Sequence, residues 1–366
     1  MAPVAERIED HGVSGRRVQL RRMTQVVVGI ASTLVLLAAV AAWAFTSYLN
    51  GAVARVDAGT AGGYRGPLNV LLAGVDLRSG LTRAQQLQLH VGRDLSFNSD
   101  TMMVIHVSAD RTRVTVVSIP RDSWVDIPGH GMSKINAAFG LGGPKLMVAT
   151  VEHVTGLTIN HFVEVNFLGF VKIINALGGV NICLPYAVND HYSGLHLSAG
   201  MHRVNGITAL KYARDRHSFA ASDLARITNQ QSLLSSLLRE AISSHTLTNP
   251  LRLSGFLRAA LGAITVDRGL DLAALADQLR GITLHDVQFL TVPLSNVNYQ
   301  APGGQSAVLW NAAAASQIFA KLRADQPLSR PPGHGGRHRH HGHGASGHLA
   351  GAPPPGTRSA AQAACH

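Results

Sequence analysis

Hydrophobic positions fall into three kinds of run along this 366-residue chain. The first is continuous. Val26 to Phe45 holds twenty residues without a charge, which as a helix at ~1.5 Å per residue spans a hydrocarbon core of roughly 30 Å. Arg16, Arg17, Arg21 and Arg22 precede it, and almost no charge follows before Arg55. The positive-inside rule then predicts a cytoplasmic N-terminus and an exported chain beyond Leu49. Ala42-Trp43-Ala44 and Ala52-Val53-Ala54 have the small-x-small form of a signal-peptide cleavage site. The run is longer than a usual signal core, so an uncleaved single-pass anchor in the cell membrane is expected.

The second kind of run is short. Leu68-Asn69-Val70-Leu71-Leu72-Ala73, closed by Gly74, predicts a buried strand, as do Thr101 to Val107 and Val114 to Ile119. The last two are joined by the polar turn Asp110-Arg111-Thr112-Arg113. Further strands are expected at 161–165, 180–184 and 286–292. The third kind has helical period, over 144–155, 167–177, 204–212, 222–243 and 270–280. Helices covering a core sheet predict a layered α/β domain. The expected organisation is a leader at 1–22, an anchor at 23–49, a linker at 50–66, one large domain at 67–325 and a tail at 326–366. That tail has six Pro, eight Gly and seven His, too little apolar content to pack, so disorder is expected there.

Composition narrows the class. Hydrophobic residues make up 46% and charged residues 14%, which excludes a mainly disordered chain. Two cysteines, Cys183 and Cys365, exclude a disulfide scaffold and a multi-cysteine zinc site. Cys183 reads as a core residue within its strand. The net charge of +11 would suit nucleic acid, an anionic membrane or a phosphorylated substrate. Residues 1–22 carry five Arg against three acids and residues 326–366 four Arg and no acid, which leaves +5 for the body.

Within the body, polar residues gather at strand ends. Asp76 and Arg78 follow the first strand, Asp100 precedes the second, and Arg121 and Asp122 follow the third. If the three strands are neighbours running up, down and up, all five residues share one end of the sheet. Three carboxylates and two guanidiniums there suit a hard cation and a phosphate, although ordinary loop charge would look the same. Arg214 and Arg216 lie at i and i+2, on one side of a stretch expected to be extended. Asp223, Arg226 and Gln230 fall on one helix face that continues into Leu234, Leu237, Leu238 and Ala241. A solvated helix would oppose its charges and its leucines, so these polar groups are expected to meet a ligand or one another. Lys134 and Asn136 form a third polar island ahead of a helix.

This ordered series resembles the LytR–CpsA–Psr family. The residues that carry the likeness are Leu71-Leu72-Ala73-Gly74-Val75-Asp76-Leu77-Arg78, Asn98-Ser99-Asp100-Thr101-Met102-Met103, Ser118-Ile119-Pro120-Arg121-Asp122 and Lys134-Ile135-Asn136-Ala137-Ala138-Phe139. Gly178-Gly179-Val180, Tyr212-Ala213-Arg214-Asp215-Arg216 and Asp223-x-x-Arg226-x-x-x-Gln230 continue it. The likeness covers roughly residues 67–245.

The resemblance implies a mixed central sheet sandwiched between helices, preceded by one transmembrane helix, with an apolar tunnel for a polyprenyl chain. It implies an extracytoplasmic enzyme that moves an anionic glycopolymer from a polyprenyl-pyrophosphate carrier to peptidoglycan, releasing polyprenyl phosphate. The partners are then that carrier-linked polymer, the peptidoglycan acceptor and the cytoplasmic membrane, with no nucleic acid. Mg²⁺ or Mn²⁺ would be held by Asp76 and Asp100. Arg78, Arg121, Arg214, Arg216, Arg226, Gln230 and Asn136 would bind the pyrophosphate. Arg121, Asp122, Asp223 and Lys134 would serve the chemistry, with Asp122 or Asp223 taking the acceptor proton. Asn98 departs from the pattern, since many members carry Arg there; either Arg78 or Arg93 supplies that charge or the phosphate is held with fewer charges. Rival functions are a pyrophosphatase using water as acceptor, a non-catalytic polymer- or lipid-binding protein and a transcriptional regulator. Teichoic acid, arabinogalactan and capsule all remain open as the polymer.

Overall fold

A computed structural model describes residues 50–75, 99–215, 222–243 and 248–328, with Ser47, Tyr48, Thr82, Arg83, Gln86, Thr246, Arg358 and Ser359. The chain forms two compact units, Met1–Gly51 and Ala52–His366. In the first, the described residues Ser47, Tyr48, Asn50 and Gly51 are helical. The second holds the sheet.

Eight strands make one mixed sheet. Their spatial order is β1 (Ala54–Val56), β12 (Ile264–Asp267), β7 (His161–Asn166), β2 (Leu68–Val75), β3 (Ser99–Val107), β4 (Val114–Ile119), β13 (Val287–Thr291) and β16 (Arg358–Ser359). The pairs β1/β12, β7/β2 and β4/β13 are parallel and the others antiparallel. The up-down-up arrangement expected of β2, β3 and β4 is present, since each pairs antiparallel with the next.

Alternation along these strands feeds two cores. Leu71, Val104, Val117 and Phe162 pack beneath Met147 and Val151 of helix α1 (Ala137–Thr155) and Phe319 of α7 (Ala312–Arg323). Leu68, Val70, Met103, Val116 and Phe289 face the other way. There they meet Leu234 of α4 (Ser222–Ala241) and Leu275 of α6 (Leu272–Gln278). The layering is helix, sheet, helix, as expected. A third cluster joins Ile174 of α2 (Phe167–Ala176), Ala209 and Tyr212 of α3 (Gly206–Arg214), and Leu233 of α4. It is roofed by the pair β8 (Val180–Leu184) and β11 (Gly200–Val204) and the pair β9 (Val188–Asp190) and β10 (Leu195–Leu197). Helix α5 (Pro250–Leu261) starts on proline, with the Asn249 side chain accepting from Leu251 N and Arg252 N.

Helix α1 is interrupted at Gly142 and Gly143, where the backbone leaves helical geometry, and resumes at Pro144, the expected start. Residues expected to be a linker carry β1, and Arg55 Nη1 donates to the carbonyls of Asp267, Arg268 and Leu270. Cys183 is half-buried and disulfide-bonded, which corrects its assignment as an ordinary core residue. Its strand buries Val180, Ile182 and Leu184 and points Cys183 away from them.

The expectation of a transmembrane helix before the fold, and with it the single-pass membrane location, is corrected. Among the described residues no helix is long and apolar enough to cross a membrane. The longest, α4, carries Asp223, Arg226, Arg239 and Glu240, and α1 is broken by its glycines. The run Val26 to Phe45 lies outside the described residues, as does most of the tail expected to be disordered.

Close packing of α2 against α3 depends on Gly206. A Cβ there would lie 2.3 Å from Val171 O. Gly206→Ala therefore forces the two helices apart, and urea unfolding is expected to show a loss of about 1–3 kcal/mol. A wild-type unfolding midpoint would sink this account of the contact.

Candidate functional site

The end of the sheet where β2 stops, β3 starts and β4 stops is the site's foundation. Register pairs Gly74 with Thr101 and Met102 with Ile119, so Asp100 and Arg121 emerge side by side. The Arg121 guanidinium donates through Nη1 to Asp100 Oδ1 and through Nε to Asp122 Oδ2 at 3.3 Å. Asp122 Oδ1 lies 3.3 Å from Lys134 Nζ. Arg121 is 14% exposed and Asp100 28%, so both are reachable from outside without being loose.

The backbone around Arg121 is held from two sides. On one, Ile135 N donates to Ser123 O at 2.8 Å and Asn136 N to Arg121 O at 3.2 Å. On the other, a hairpin of β14 (Leu294–Ala301) and β15 (Gln305–Trp310) sends Val308 N to Asp122 O at 2.9 Å. Trp310 Nε1 also donates to Ser123 Oγ at 2.8 Å. Asn136 precedes α1 but makes no side-chain capping bond. Its buried amide faces a cavity instead.

That cavity, about 600 Å³, lies between the sheet and helices α2, α3 and α4, within the size range of small-molecule sites. Its polar lining includes Asp100, Arg121, Asn136, Arg214, Arg226 and Gln230. Apolar side chains line the rest, among them Leu72, Met103, Phe170, Leu210, Leu234 and Leu237. The mixed face of α4 is thereby explained. Arg226 and Gln230 meet the polar part and Leu234 and Leu237 the apolar part, Leu237 lying roughly 16 Å beyond Arg226 along the helix. Gln231, on a neighbouring face, locks α4 down through Nε2 to Ser118 Oγ at 2.9 Å.

Arg214 sits on the last turn of α3 rather than in an extended stretch, so the i, i+2 argument does not apply to it. The helix C-terminus favours a cation there, and the Arg214 guanidinium lies 5.5 Å from the centre of the Phe167 ring. Asp76, Arg78, Arg93, Asn98 and Arg216 lie outside the described residues, and Asp223 is described only by its place in α4. Asp122 adjoins Arg121, and Lys134 adjoins Asp122, without lining the cavity.

Three further residues escape a reading of the sequence. Asp190 is buried at the cavity wall and accepts from Tyr192 N at 3.0 Å and Ser193 N at 3.1 Å. Tyr192, also at the wall, is exposed. Glu164, beside Ala73 in register, has its carboxyl pushed above the usual range by burial. An acid inside the apolar run His161–Asn166 was the available signal for the last. Asp190 had none, because its role depends on a turn.

Guanidiniums at one part of the cavity are chemically suited to an anion, and the hydrocarbon along the rest to an apolar group. The LytR_cpsA_psr family profile matches residues 48–324, and the chain belongs to that family. It is 38% identical over 80% of its length to the probable cell wall biosynthesis protein LcpB of Corynebacterium glutamicum, covering 69% of that protein. It is 34% identical over 66% of its length to the cell wall biosynthesis protein LcpA of the same organism, of which it spans about half (53%). The Bacillus subtilis TagV crystal structure shares the fold, with a TM-score of 0.58 at 24% identity over 72% of this chain and 98% of that one.

Tyr212 roots α3 beneath Arg214. Burial pushes its hydroxyl up to about 12, outweighing the hydrogen bond to Ser232. The neutral phenol is favoured in the fold, so the stabilisation is complete below about pH 10 and is lost as pH rises toward 12. Relative to Tyr212→Phe, the wild type should lose about 3 kcal/mol across that window. Parallel unfolding curves for the two proteins from pH 9 to 12 would contradict this.

Proposed function

We propose that this chain transfers an anionic glycopolymer from a polyprenyl-pyrophosphate carrier to a peptidoglycan hydroxyl, with residues 67–325 as its catalytic domain. The observation that carries the proposal is the cavity in which Asp100, Arg121, Arg214, Arg226 and Gln230 adjoin an apolar lining. A pyrophosphate with a hydrocarbon tail matches both parts, and the names of the two corynebacterial relatives support a cell-wall role.

In this proposal the acceptor oxygen attacks the polymer-bearing phosphorus. The bridging P–O bond breaks, and its electron pair leaves with polyprenyl phosphate. The acceptor proton passes to a carboxylate at the rim, Asp122 being the described candidate. Arg121, Arg214 and Arg226 neutralise charge on the phosphoryl oxygens, and preorganised donors of this kind are worth most where water is excluded. Asp122 and Lys134 hold Arg121 in orientation.

Mg²⁺ suits the donor chemistry. It binds hard oxygens, commonly one or two carboxylates completed by substrate phosphates and water. Asp100 presents such a carboxylate to the cavity. Among the described residues no group of three or more His, Cys, Asp or Glu could hold a metal. Asp100, with Asp76 outside the described residues, would hold the ion together with the substrate, and the ion would supply charge neutralisation to the phosphates.

Purified Arg121→Ala and Asp100→Ala should each lower transfer of carrier-linked glycan by roughly 10²–10³. Wild-type turnover in both would refute the site assignment. Stripping divalent ions with a chelator should abolish turnover, and Mg²⁺ should restore it; turnover that persists in the chelator removes the metal from the proposal. Product analysis separates a phosphodiester on peptidoglycan from free glycan phosphate released by water.

A further inference from the structure

Strand β3 breaks its ladder with β2 at one point. Gly74 pairs with Thr101 and Val75 with Ser99, so Asp100 is an extra residue with no partner across the pair. In a regular strand Asp100 and Thr101 would point to opposite faces of the sheet. A bulge re-aims side chains, and here both residues line the cavity. Ser99 pins the irregularity. It is fully buried, and its hydroxyl is shared between Thr101 O at 2.9 Å and Gly74 O at 3.2 Å.

Thr101 continues the face of Met103, and Gly74 that of Leu72. With Val165, which pairs with Gly74 from β7, these residues floor the cavity on its sheet side. Thr101 carries the polar side chain among the five. Its hydroxyl has no hydrogen-bond partner among the described residues. A Cβ on Gly74 would lie 3.0 Å from Thr101 Cβ and 3.3 Å from Oγ1, so glycine leaves the hydroxyl open on that side.

We propose that Thr101 Oγ1 donates a hydrogen bond to a phosphoryl oxygen of the ligand's anionic head. Arg214 and Arg226 approach the cavity from α3 and α4, and Arg121 from the loop after β4. The floor between them offers this one hydroxyl, which completes the grip without adding charge. A hydrogen bond to a charged acceptor is stronger than one between neutral groups. A threonine serving structure alone would spend its hydroxyl on the backbone, as Ser99 does two residues earlier. The inference deepens the transfer reaction proposed above and rests on it for the identity of the head as a pyrophosphate.

The test is calorimetric titration of the whole protein with geranyl pyrophosphate, first with Mg²⁺ and then in a chelator. Thr101→Val keeps the branched shape that suits a strand and removes only the hydroxyl. It should weaken binding about tenfold or more, whereas Thr101→Ser, which keeps the hydroxyl, should stay within about threefold of wild type. The same loss is expected in both solutions, because the contact is made to the head itself. A loss confined to Mg²⁺ would make Thr101 a partner of the ion and overturn the direct contact. Since the hydroxyl stabilises nothing within the protein, Thr101→Val should unfold in urea at or above the wild-type midpoint. A lowered midpoint, or failure of Thr101→Ser to restore binding, would assign the residue a structural role instead. If Thr101→Val binds like wild type while Arg121→Ala loses both binding and transfer, the proposed reaction stands and this inference fails. If the Thr101 variants behave as expected while Arg121→Ala transfers glycan at the wild-type rate, the reverse holds.

Discussion

The Arg121 guanidinium, shared between Asp100 and Asp122, is the contact on which the site depends. It ties the start of β3 to the loop after β4, two strand ends that the sheet already brings together. Ion pairs this accessible add little to folding stability. Their value here is orientation. The backbone of the same loop is anchored by Ile135 and Asn136 on one side and Val308 on the other. The arginine therefore has little freedom left to lose on meeting an anion, and that entropy is a large part of what binding normally costs.

Helix α4 supplies the complementary constraint. Its polar first turns and apolar later turns share one face because that face runs along the cavity. An amphipathic helix divides across its width; this one divides along its length as well. Arg226 is 3% exposed, an environment in which a guanidinium interacts with a phosphate far more strongly than in water. Gln231 bonds to β4 and, through Leu290 O and Thr291 Oγ1, to the end of β13, which stops the helix from rotating that face away.

The parts of this arrangement visible in the sequence are those governed by period. Strands β2, β3, β4 and β8 carry continuous or alternating apolar runs, and the up-down-up order of β2, β3 and β4 puts Asp100 and Arg121 together. The α4 face followed from 100° spacing. The hairpins β5 (Trp124–Ile127) with β6 (Gly131–Lys134) and β14–β15 were not visible, because Gly131–Lys134 and Ser295–Gln300 are polar on both faces and lack a buried stripe. Arg214 was assigned to extended chain because Asp215 and Arg216 blur the helix end, which falls after Arg214. Asp190 acts by holding the backbone of Tyr192 and Ser193, and no periodicity records a bond of that sort.

Attachment of the β14–β15 hairpin to the Arg121 loop bears on how steadily the guanidinium is placed. Phosphoryl transfer needs the attacking and leaving oxygens roughly in line, and a misplacement of about 1 Å can cost 10²-fold. Here Ser123 is bonded to Trp310, Asp122 to Val308 and Lys134 to Asp122, so the hairpin and the guanidinium are joined through a few hydrogen bonds. A shift of the hairpin must then move the Arg121 loop with it. Such coupling keeps the hairpin and the guanidinium in a fixed relation even when both move relative to the sheet.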